Sequence, residues 1–214
     1  MISNNVNFYI SSLCTPLYLD ILNKGDKDNA ISQIPFDFLS EENGAKKFKE
    51  SVKKVSIRGS IEYKHWVKWF KECYNPVECC LSHHTVTIQV HHHPLVLEDY
   101  FDMALYFLYS NKITYTSGLI TDLVMRWHYQ GIVPACYLSK TEHENWHENH
   151  DKTIPEECIY GDLEGLLTDP ITSQLLNQSH YSKIMTYMPE FYKSHKELFK
   201  EASEKEENEL EENW

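Results

Sequence analysis

The sequence predicts an α+β fold, mostly helical, on three observations. Val86, Ile88 and Val90 alternate with Thr85, Thr87 and Gln89, the pattern of a strand with one buried face. A stripe at Tyr63, Trp66, Val67, Phe70 and Cys73 has helical core spacing, and the run from Leu97 to Ser110 is an aromatic-rich helix. A second short apolar piece, Ile132 to Leu138, leads into Ser139, which with Glu142 three residues later makes a capping box that starts another helix. The order is strand, helical insert, strand, helix.

The elements follow along the chain. Pro16, the polar cluster from Asn23 to Asn29 and Pro35 break up the beginning, so residues 1–54 are expected to form an arm or small subdomain. Within them, residues 33–39 resemble a short docking peptide for a protein partner, or else an amphipathic segment folded onto the core. A central domain spans 55–170. Its first helix begins after Ser60 and stops at Asn75-Pro76, the strand follows, and a helical insert occupies 97–131. The second insert helix starts near Ser117 and ends at Gly131, a residue suited to the position after a helix. The insert is long enough for two ordinary helices. Beyond Pro155 the chain reads as loop with Gly161 and Gly165. Residues 171–200 return to helical spacing at Leu175, Leu176, Ile184, Tyr187 and Met188, interrupted at Pro189, and 201–214 is an acidic tail.

Composition limits the function classes. The net charge is −12, half of it in the tail, and the chain has only two arginines, Arg58 and Arg126. That balance excludes a protein that coats nucleic acid non-specifically, which needs many cationic phosphate contacts. The tail is a candidate dock for a basic partner. Six cysteines lie at 14, 73, 79, 80, 136 and 158 without a Cys-x-x-Cys pair. No signal-like start and no stretch apolar enough to span a bilayer are seen, so reduced thiols and a cytoplasmic setting are expected. Among the thiols, Cys73, Cys79 and Cys80 are zinc candidates by proximity in sequence. The Lys-, Asn-, Glu- and Tyr-rich wording suits a low-GC genome such as a bacteriophage's.

Histidine carries the chemistry. His91, His92 and His93 close the first strand ahead of Pro94, and His143, His147 and His150 share one face of the capped helix. Neutral imidazole is the commonest metal ligand and moves protons near neutral pH. Adjacent strand residues point to opposite faces, so of His91 and His92 one is expected to bind a metal while the other faces a water. The competing readings are an exposed strand end with a solvated helix face, and a closed structural site completed by Cys136. His65, His83, His84, His128, His180 and His195 read as surface or internally satisfied residues. Asp99 and Asp102 could add carboxylate ligands, but read first as favourable charge at a helix N-terminus.

His91-His92-His93-Pro94 with His143-Glu-Asn-Trp-His147 resembles the HNH, or ββα-metal, nucleases, in particular their His-rich branch. The resemblance covers 85–94 and 132–150. It implies an interrupted ββα-metal motif, with His91, His143 and His147 holding one divalent ion (Zn, Mg, Mn or Ni) and His92 as the general base. It also implies a one-metal endonuclease acting on DNA, with RNA as the second substrate. Lys140 and Arg126 are the candidate phosphate contacts. Where the family places an orienting Asn, nine residues before the first helical His, this chain has Pro134. The alternative is a non-enzymatic, metal-stabilised scaffold that keeps the ββα unit and docks a protein or nucleic acid.

Overall fold

A computed structural model describes residues 42–111, 113, 116–149 and 153–200. The docking-peptide candidate at 33–39, His150 and the acidic tail lie outside them. The described chain is mostly helical with one two-stranded antiparallel sheet. Helix α1 (Glu42–Ser51) runs into a π-helical stretch (Val52–Ile57), followed by α2 (Ile61–Cys73), β1 (Ile88–His92), α3 (Leu97–Ser110), α4 (Ser117–Tyr129), β2 (Ala135–Ser139) and α5 (Lys140–Asn149). A 3-10 turn (Glu156–Cys158) leads to α6 (Leu163–Thr168), α7 (Thr172–Leu175), α8 (Gln178–Tyr187) and α9 (Pro189–Ser194).

The strands pair with His91 opposite Cys136 and His92 opposite Ala135. Residues directly opposite in an antiparallel pair share a face, and neighbours along a strand alternate. One face therefore carries Gln89, His91, Cys136 and Leu138, and the other carries Val90, His92, Ala135 and Tyr137. The second face closes the main core, where Trp66 and Phe70 of α2, Tyr100 and Phe101 of α3 and Trp127 of α4 are buried. The Tyr137 hydroxyl is anchored there, 2.9 Å from the carbonyl of Tyr74. Helix α5 packs on the first face. α2 and the two insert helices thus bury β1 and β2 from one side while α5 covers the other.

Local chemistry fixes the ends. Ser60 accepts the Tyr63 N–H and caps α2, and Ser139 accepts the Glu142 N–H and caps α5. Gly131, in the left-handed region at φ 79°, ends the turn after α4. Asp99 accepts the N–H of Val96, is buried, and pairs with Lys183 at 2.6 Å, which joins α3 to α8. Lys49 reaches Glu98 and Asp102, both at 2.7 Å, and fastens α1 to α3.

Two expectations are corrected. The strand begins at Ile88, not Thr85, because Thr87 takes a left-handed φ of 55° and Val86 is left 70% exposed. The stretch after Pro155 is not all loop. Asp162 accepts the Gly165 N–H and nucleates α6, so Gly165 is helical. Gly161 remains a backbone requirement, with φ 119° and the Pro134 Cα only 2.9 Å from where a Cβ would stand.

Candidate metal site

His91, His143 and His147 converge. Their ligand atoms all lie within 4.8 Å of one another. β1 delivers His91, and the one-turn spacing on α5 stacks His143 over His147, with their Nε2 atoms 3.1 Å apart. The His91 ring stands edge-on to His143 at 4.8 Å and to His147 at 5.3 Å between centroids. Exposure rises across the trio: His91 is buried, His143 half-buried and His147 exposed. The cluster is therefore rooted in the fold and open on one side.

The electrostatics favour neutral rings. Burial, then the neighbouring imidazole of His143, pushes His91 down to about 2, and burial followed by His147 pushes His143 down to about 4. Gln89, two residues before His91 on the same face, offers its carbonyl oxygen to His143 Nδ1. That oxygen only accepts, so Nδ1 carries the proton and Nε2 presents its lone pair toward His147. His91 Nε2 is buried with no hydrogen-bond partner. Such an orphan costs about 1–3 kcal/mol, and a cation at the trio is the kind of group that relieves it. Three neutral nitrogen donors with an open side fit a divalent ion of the zinc or nickel type better than magnesium or manganese, which prefer oxygen.

His92 does not join this group, contrary to the expectation that it faces a water beside the ion. It points to the opposite sheet face and is 4% exposed. Its ring stacks on Trp66 at 5.8 Å, and its Nε2 lies 2.9 Å from Nε2 of His128. Strand alternation separates it from His91, and α2 together with the insert helices seals that face. Lys140 is exposed at the start of α5 and 3.8 Å from Glu144, and Arg126 lies half-buried on α4.

Two residues escaped the sequence reading. Arg58 is a guanidinium whose charge bears on His91, His92 and His143. It is exposed and follows the π-helical stretch, over thirty residues before His91, so no local pattern links the two. Gln89 did carry a signal, because it alternates with His91 two residues later on a strand.

A model of the bacteriophage G278-like virion protein family matches residues 19–213. No curated protein and no solved structure matches the chain. The chain belongs to that family of phage virion proteins, and the phage origin suggested by its residue usage is supported.

Proposed function

We propose that this virion-family protein travels in the phage particle and hydrolyses phosphodiester bonds, of DNA first and RNA second, with one divalent ion held by His91, His143 and His147. The observation that carries the reading is the convergence of three ligand atoms within 4.8 Å at a site open to solvent on the side of His147. The strand, helical insert, strand, helix order supports the HNH-like assignment. When bound, the ion supplies positive charge against the phosphate and acidifies a bound water.

The protein's own residues do the rest. Gln89 fixes the tautomer of His143, as partners behind metal-binding histidines commonly do. Arg58, exposed and with a charge that bears on His91 and His143, is the candidate contact for phosphate. His92 supports the site from behind as a packed core residue. Supercoiled plasmid incubated with the full chain and Zn²⁺, Ni²⁺, Mn²⁺ or Mg²⁺ tests the reading. Nicking that is lost in His143→Ala supports it, and absence of nicking with every ion sinks it.

The burial of His92 favours one second reading, a non-enzymatic, metal-stabilised scaffold in the particle that docks a protein or nucleic acid. Such a protein binds the ion, loses stability to a chelator, and leaves plasmid intact. Among the described residues no helix is long and apolar enough to cross a membrane.

A further inference from the structure

We propose that Cys79, Cys80, Cys136 and Cys158 form a second, structural metal site for a thiophilic divalent ion such as zinc. The four thiols come from three separate stretches: the turn before β1, the middle of β2 and the 3-10 turn after α5. Their meeting is a product of the fold. The Cys80 N–H donates to the Tyr137 carbonyl at 2.9 Å, which lays the turn along β2. The reciprocal Ala135–Tyr160 hydrogen bonds, 2.8 Å each, bring the stretch with Cys158 beside the same strand.

Cys79, Cys80 and Cys136 belong with Leu138, Trp146 and Ile154 to a small apolar cluster apart from the main core, and Cys158 packs against it. The Cys80 thiol neighbours those of Cys136 and Cys158, each of which bears on its ionisation, so it is the hub of the group. Cys79 is fixed by its backbone, donating its N–H to the His84 carbonyl and accepting the His83 N–H, 2.8 Å each, which closes the 79–84 turn against the cluster. Buried cysteine alone is an unremarkable small hydrophobe. Four of them in one cluster, drawn from three stretches of chain, are the donor set of a closed tetrahedral zinc site. Cys73, exposed at the end of α2, takes no part.

Among the described residues only the three histidines already have their ligand atoms within 4.8 Å. The thiols are gathered but not closed, and side-chain rotation completes the set on an ion. Four thiolates leave no open position, so the site is structural: it ties the 79–84 turn and the 156–160 stretch to β2, beneath Trp146 and hence beneath α5.

The test is independent of the histidines. The full chain, purified in reductant, is titrated with Co²⁺. A near-ultraviolet thiolate-to-cobalt charge-transfer band is expected, saturating at one ion per chain and displaced by Zn²⁺. It persists in the His143→Ala/His147→Ala double variant and disappears in Cys80→Ser/Cys136→Ser. No band in the wild-type chain overturns the proposal, whether or not the cysteine variant folds. So does a band that survives in the cysteine variant, or an intact mass showing that the thiols have paired as a disulfide.

Discussion

His92 donates its Nε2 proton to Nε2 of His128, 2.9 Å away in the core. The direction follows from the far side of His128, whose Nδ1 lies 2.7 Å from the Val124 carbonyl and must carry the proton there. Two neutral imidazoles are thereby committed to each other, and Trp66 reinforces the pair by stacking on His92 and by donating its indole N–H to the His128 carbonyl at 3.1 Å.

Replacing His92 is therefore a stability experiment. His92→Ala leaves a cavity and strands the His128 acceptor, and a loss of about 2–4 kcal/mol is expected. Urea denaturation at pH 7.5 measures it. A variant as stable as the wild type but selectively deficient in catalysis would restore the general-base role and contradict the packing argument.

The same pair makes the fold acid-sensitive. Burial pushes His128 down to about 4 from its ordinary value, and burial lowers His92 as well. The unfolded chain takes up these protons near pH 6.5 while the folded chain does not. The stabilisation is thus complete above that pH and is lost as pH falls toward 4. The slope is at most about 1.4 kcal/mol per pH unit for each such histidine. Denaturation midpoints at pH 7.5, 6.0 and 5.0 should fall in that order, and a flat profile would mean the pair is not buried.

Arg58→Ala should leave ion stoichiometry unchanged while weakening substrate binding. One phosphate contact fewer lowers the salt dependence of DNA affinity by about one in the log–log slope. Fluorescence anisotropy with labelled duplex across a salt series reads this directly. Arg126→Ala is the control, expected to leave the slope where it was.

Asp99 should behave as a buried joint, not a ligand. It satisfies the Val96 N–H and holds Lys183 at 2.6 Å. Asp99→Ala leaves both unpaired and should cost about 2–4 kcal/mol. A double-mutant cycle with Lys183→Met separates the ion pair from the backbone cap, with most of the cost expected to remain on Asp99.

The sequence by itself determined the mostly helical α+β class, the order of strand, insert, strand and helix, and the capped start of α5 at Ser139. It also placed His143 and His147 on one helix face. These features rest on periodicity and on hydrogen bonds spanning three or four residues, so local letters suffice. The acid cap at Asp99 was legible for the same reason, and so was the alternation that separates His91 from His92.

Alternation does not say which face is which, and there the tertiary structure decided. α2 and the insert helices bury the face of His92, while α5 meets the face of His91, so the expected water-facing imidazole became a core residue. Packing likewise gathered Cys136 and Cys158 around Cys80 in place of Cys73. Those neighbours are separated by tens of residues, and only the burial of large side chains such as Trp66, Tyr100 and Trp146 brings them together. Energies of that kind are summed over the whole core, and no single segment of the chain spells them out.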